Sequence, residues 1–112
     1  MKVLLINGSP HEKGCTYTAL SLIAKELNDA GVDTEILQVG GKPAGGCVGR
    51  GGCAAGNGCV FGGVVNEAIE KAKTADGFVF GSPVHYASAT GNMTSFMDRL
   101  AYAGGRYLAY KP

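Results

Sequence analysis

The fold is decided by the first sixteen residues, Met1-Lys-Val-Leu-Leu-Ile-Asn-Gly-Ser-Pro-His-Glu-Lys-Gly-Cys-Thr16. Val3 to Ile6 form an unbroken apolar run and read as a short buried strand, which Asn7-Gly8-Ser9-Pro10 then turns. The turn opens a helix. Hydroxyls at Ser9 and Thr16 and glycines at Gly8 and Gly14 fall where a strand end, a loop and a helix N-terminus leave backbone N–H groups free, an environment that suits a phosphate. A turn with a Thr cap is the plainer reading. Gly8-Ser9-Pro10-x3-Gly14-Cys15-Thr16 has neither the Lys of a P-loop nor the glycine order of a dinucleotide fold, so it points to a terminal phosphomonoester rather than to ATP or tightly held NAD.

Beyond the turn, Leu20, Ile23, Ala24 and Leu27 recur at helical spacing and predict a helix from about Cys15 to Ala30, stopped by Gly31. Val32 to Val39 reads as a second strand, making a βαβ unit with parallel strands and a right-handed crossover. From Gly40 to Gly63, eleven of twenty-four residues are glycine, too flexible for a helix or a central strand. Val65, Ala68, Ile69 and Ala72 then mark a helix over Val64 to Thr74. Gly77-Phe-Val-Phe-Gly81 carries no polar side chain and predicts a strand covered on both faces. Met93, Phe96, Met97 and Leu100 predict a last helix from about Thr90 to Ala101. This order implies an α/β fold, an open parallel sheet with helices on both faces, whose ligands sit beyond the carboxyl ends of the strands.

A second loop leaves such an end at Ser82-Pro83-Val84-His85-Tyr86-Ala87-Ser88. Alone it is a strand-ending turn with a His beside a Tyr. As a binding loop it offers backbone amides to the carbonyls of a flat ring, with Tyr86 or His85 beside the ring. A phosphate at one loop and a planar ring at the next together describe a flavin mononucleotide.

The bulk properties narrow the partner. At 112 residues the chain is one domain, 1–112, with a Gly/Cys-rich loop at 40–63. Ten basic and nine acidic residues leave a net charge of +1, too balanced for nucleic-acid binding or a membrane-surface role, so a small molecule is expected. The apolar run at Val3 to Ile6 is shorter than a signal-peptide core and nothing reaches transmembrane length, which reads as cytoplasmic. Free thiols or metal ligands are then expected of Cys15, Cys47, Cys53 and Cys59 rather than disulfides. No Ser-His-Asp, paired-carboxylate or nucleophilic-cysteine arrangement is evident, and Asp98 and Arg99 read as a helix-surface ion pair. Zinc is disfavoured because five residues separate Cys47 from Cys53 and Cys53 from Cys59, more than paired zinc ligands usually allow. The sequence stops at Tyr110-Lys111-Pro112 after an apolar stretch that could be entering another strand, which suggests a truncated chain.

Gly8-Ser9-Pro10 with Gly14 and Thr16, then Gly81-Ser82-Pro83-Val84-His85-Tyr86, then Gly91-Asn-Met-Thr-Ser-Phe-Met-Asp-Arg99 resemble the flavodoxin-like NAD(P)H-dependent FMN reductases, including their iron-sulfur flavoprotein branch, over nearly the whole chain. The resemblance implies a flavodoxin-like sheet with strand order beginning 2-1-3, of which three strand-helix units are present and Tyr107 to Tyr110 would begin a fourth strand. The third strand would then lie at an open edge, and a homo-oligomer is expected. It further implies that Ser9, Cys15 and Thr16 contact the FMN phosphate, with His11 at the edge of the loop, and that Pro83, Val84, His85 and Tyr86 flank the isoalloxazine. The implied reaction passes hydride from NAD(P)H to the flavin and electrons on to a quinone, free flavin or redox protein. An electron carrier without nicotinamide use and a fragment without cofactor are the alternatives. The iron-sulfur branch carries a compact run of four cysteines. Arg50 stands at the second of those positions, leaving Cys47, Cys53 and Cys59, so an iron-sulfur cluster is not expected; the loop is expected to lie over the flavin or at a dimer contact.

Overall fold

The computed structural model describes residues 1–42, 45–47, 49, 51 and 63–108. Arg50, Cys53 and Cys59 lie outside the described residues. Strand β1 (Lys2–Asn7) leads to helix α1 (Cys15–Asp29), strand β2 (Asp33–Gln38), helix α2 (Val64–Thr74), strand β3 (Gly77–Gly81) and helix α3 (Gly91–Leu108). The three strands form one parallel sheet in the order β2-β1-β3, as the sequence led us to expect.

Alternation along β1 divides the core. Leu4 and Ile6 face one side, where Val65, Ala68 and Ile69 of α2 and Met93, Phe96 and Leu100 of α3 bury them. Leu5 faces the other, packed with Leu20 and Ala24 of α1 and flanked by Val3, Ile36 and Val79. Helices therefore cover both faces. At the amino end of the sheet, Glu35 of β2 pairs with Lys71 of α2 and with Lys2 at 3.1 Å, and the hydrogen bond from Lys71 holds its carboxyl below the ordinary value of 4.5.

Three expectations change. The last helix does not end near Ala101 but runs to Leu108, so Tyr107 and Leu108 are helical and do not enter a fourth strand; Ala109 and Tyr110 lie outside the described residues. A Cβ at Gly104 would lie 3.0 Å from Cγ1 of Ile69, so the glycine lets α3 approach α2 closely. Tyr107 packs on the core one turn later, with the Lys73 ammonium 5.1 Å from its ring centre. Arg99, read as a surface charge, is only 8% exposed, one turn after Phe96 at the margin of the buried stripe, whereas Asp98 is exposed. Met97 and Ile23 are at the outer margins of their stripes, 37% and 39% exposed. The third strand packs on both faces as expected, Phe78 against the α2 and α3 side and Val79 against the α1 side; it borders the described sheet, and Phe80 near its carboxyl end is 40% exposed.

A Cβ at Gly40 would lie 2.3–2.4 Å from backbone atoms of Gly8 and Ser9, whereas one at Gly91 meets nothing within 4 Å. Gly40→Ala should therefore lower the unfolding free energy by about 3 kcal/mol and Gly91→Ala should not lower it, measured by urea titration. Because the Glu35 carboxyl is depressed in the folded state, its contribution is present above pH 4.5 and is lost as pH falls through the folded value. Glu35→Gln should lower the melting midpoint at pH 7, and the difference should shrink progressively as pH falls below 4.5.

Candidate functional site

The site is built on the carboxyl end of β1. Asn7 is 1% exposed; its side-chain Oδ1 accepts the Ser9 N–H at 3.0 Å, and its Nδ2 donates to the Glu12 carbonyl at 3.2 Å. Its own carbonyl accepts the Val39 and Gly40 N–H groups at 2.9 and 3.2 Å, which brings the exit of β2 under the loop. On the other side, the Gly8 N–H donates to the Gly81 carbonyl at 2.8 Å. The two loops singled out in the sequence thus leave neighbouring strands at the same level.

Ser9 is 4% exposed, and its Oγ accepts the His11 N–H at 3.1 Å. The hydroxyl proton finds no acceptor among the described residues. Gly14 caps α1 without a side-chain hydrogen bond, and the first turn carries no acidic residue. Thr18 donates the first intrahelical bond, to the Gly14 carbonyl at 3.0 Å, so the amides of Cys15, Thr16 and Tyr17 stay free among the described residues. By contrast, Thr90 caps α3 by accepting the Met93 N–H at 3.2 Å, and Glu67 lies in the first turn of α2. Thr16 packs its methyl against Gly81, where a Cβ would lie 3.0 Å from Thr16 Cγ2, and its hydroxyl has no partner among the described residues. Cys15 is an exposed free thiol, and His11 is exposed with its Cβ beside Gly14.

In the second loop, the Ser82 hydroxyl bonds the Pro83 carbonyl at 2.9 Å and accepts the Thr90 N–H at 3.0 Å, which pins the loop to the start of α3. Val84 and Ala89 form an antiparallel bridge, Ser88 N–H donates to the Tyr86 carbonyl at 2.8 Å, and Ala87 takes φ +62°, a conformation that strains a non-glycine residue. The tip presents Tyr86 at 91% and Val84 at 69% exposure, two apolar surfaces with little packed against them. His85 lines a cavity of about 220 Å³ together with Gly8, Pro10, Gly40, Thr90, Gly91 and Asn92.

The structure therefore brings Ser9 and Thr16 beside the unbonded α1 amides, and His85 to the same cavity as Gly8 and Pro10. Pro83 is half-buried at the base of the second loop, while Tyr86 and Val84 stand at its tip. Sequence reasoning missed Asn7, Gln38 and Gly40. Asn7 has a signal, since an Asn directly after a buried strand and before Gly-Ser is suited to bonding the backbone two residues on.

The sequence profile of the NADPH-dependent FMN reductases matches residues 1–112. The chain belongs to that family. Among its relatives, an iron-sulfur flavoprotein of Methanocaldococcus jannaschii is 31% identical over 99 residues, which are 88% of this chain and 51% of the relative. An iron-sulfur flavoprotein of Archaeoglobus fulgidus is 32% identical over 106 residues, 95% of this chain and 48% of the relative. The chain thus spans about half the length of the curated relatives it matches. Its fold is also that of a crystal structure titled as a quinone reductase from Klebsiella pneumoniae, with a TM-score of 0.65 and 21% identity over 90% of this chain and 45% of that one.

For this FMN reductase family chain the fit to a flavin mononucleotide can be tested on the geometry. The loop from Ser9 to Thr16 offers one buried hydroxyl, a second half-buried hydroxyl and three helix-terminal amides, all donors, with no carboxylate in the first turn of α1. That set fits a phosphate dianion. Of the cysteines in the Gly/Cys-rich loop, Cys47 is an exposed free thiol, and Cys53 and Cys59 lie outside the described residues.

Thr16→Val keeps the methyl that packs on Gly81 and removes the hydroxyl. It should weaken FMN binding by about 1.5–3 kcal/mol, the size of a hydrogen bond to a charged group. A fluorescence titration that returns unchanged affinity would remove the phosphate from this loop.

Proposed function

We propose that the chain holds FMN and forms the flavin-binding half of an oxidoreductase that takes hydride from NAD(P)H and delivers electrons to a small acceptor such as a quinone or a free flavin. The observation that carries this reading is the meeting of two loops through the Gly8–Gly81 hydrogen bond, one lined with unpaired donors and the other presenting an exposed aromatic tip. Bound flavin would supply the redox chemistry, and the protein would position it.

In this reading Ser9 and Thr16 donate their hydroxyl protons to the phosphate, and the amides of Cys15, Thr16 and Tyr17 add to them at the positive end of α1. Cys15 and His11 border the phosphate through their positions at the start of α1 and at the loop's edge. The segment from Pro83 to Tyr86 lies along the ring, its backbone beyond Pro83 facing the ring's carbonyl oxygens and Tyr86 covering apolar surface. A homo-oligomer in the cytoplasm is part of the same proposal.

A second reading, a flavin electron carrier without nicotinamide use, is favoured by the iron-sulfur flavoprotein names of the relatives. Oxidation of NADPH by the FMN-loaded protein only when a quinone or flavin is present would support the reductase. Flavin bleaching by a reduced ferredoxin, with none by NADH or NADPH, would support the carrier. Iron and sulfide assays on anaerobically prepared protein should return far less than one cluster per chain, because Cys47, Cys53 and Cys59 supply three thiolates where a four-iron cluster takes four. A stoichiometric cluster would mean that Cys15 or a second molecule completes the set.

A further inference from the structure

Gln38, the last residue of β2, reaches across to the phosphate loop. Its Nε2 donates to the carbonyl of Ser9 at 2.7 Å. A carbonyl can only accept, so the nitrogen end of the amide must face Ser9 and the oxygen end must face away. That oxygen, Oε1, is buried and accepts no hydrogen bond from the described residues. An unpaired buried acceptor is unfavourable, and an aliphatic residue at this half-buried position would avoid it. What the amide gains in return is the Ser9 carbonyl alone.

That bond completes the immobilisation of Ser9. The Ser9 N–H is held by Asn7 Oδ1, its Oγ accepts the His11 N–H, and its carbonyl is held by Gln38. Pro10 follows with φ fixed by its ring. Gly40 presses on the same segment from the same side, and Gly41 passes over the Gln38 amide, with its Cβ direction 3.6 Å from Nε2. The only group of Ser9 left uncommitted is the hydroxyl proton. We infer that Gln38 is a positioning residue, which acts through Ser9 to aim that proton and to keep the Ser9 carbonyl turned toward β2 and away from the anion. The inference rests on the flavin reading above and deepens it, because it assigns the preference for a phosphorylated flavin to a residue on a different strand from the loop itself.

The test compares FMN with riboflavin, which keeps the ring and lacks the phosphate. Gln38→Met preserves length and apolar stem while removing both polar ends; Gln38→Glu places a carboxylate against a carbonyl. In both variants the affinity for FMN should fall on the order of tenfold or more, as for a lost buried hydrogen bond, while the affinity for riboflavin stays at the wild-type value. The Gln38 side-chain amide resonance of the unmutated protein, followed by NMR, should shift on addition of FMN and hold its position on addition of riboflavin, which decides the matter even where a variant does not fold. Wild-type discrimination between the two flavins in both variants, equal losses for both flavins, or an unmoved amide resonance would overturn the inference while leaving the flavin reading intact. Wild-type protein that takes up no FMN would overturn that reading and the inference with it.

Discussion

Asn7 at the end of the central strand is the constraint on which the rest of the molecule depends. It is buried, it accepts from two amides at the exit of β2, and its side chain closes the loop toward α1 through Ser9 and Glu12. Directly beside it, Gly8 bonds Gly81 at the end of β3. One residue pair thus ties three strand exits into a single platform. A buried amide with every group satisfied rigidifies its surroundings, and leaving one partner unmade in that environment would cost about 1–3 kcal/mol.

The platform explains why close approach, more than any charged group, shapes the site. Gly81 must lack a side chain because Thr16 and Leu20 lie over it, and Gly40 must lack one because the carbonyls of Gly8 and Ser9 occupy the space. The donors left over, the hydroxyls of Ser9 and Thr16 and the first amides of α1, all come from one short segment. Their common sign is what a phosphate requires and what a cation would find unfavourable. The second loop contributes shape instead, with a left-handed Ala87 turning Tyr86 and Val84 outward.

Much of this was legible in the sequence because it rests on local rules. The apolar run Val3 to Ile6, the Gly31 stop and the α2 stripe gave the strands and helices and their parallel order, since period and turn chemistry carry that information. What was not legible depends on contacts between distant segments. The close approach of Gly104 to Ile69 shows only once α3 is set against α2, and Arg99 read as a surface charge until its turn of helix is placed beside Phe96. Gln38 and Gly40 gave no signal at all, because their role is to touch a loop some thirty residues earlier. Of the predicted site residues, Ser9, Thr16 and His85 fall where three strand exits converge. Cys53 and Cys59 lie outside the described residues, and their loop was readable only as composition.

The central claim is that the loop from Ser9 to Thr16 holds a phosphate, and phosphorus NMR of FMN mixed with the protein tests it most directly. Free FMN phosphate titrates with a pKa of about 6. Held by two hydroxyls and three amides, the dianion should be favoured, so its resonance should move from the free position and stay constant from pH 8 down to pH 5. A resonance that titrates near pH 6 in flavin known to be bound would contradict the account.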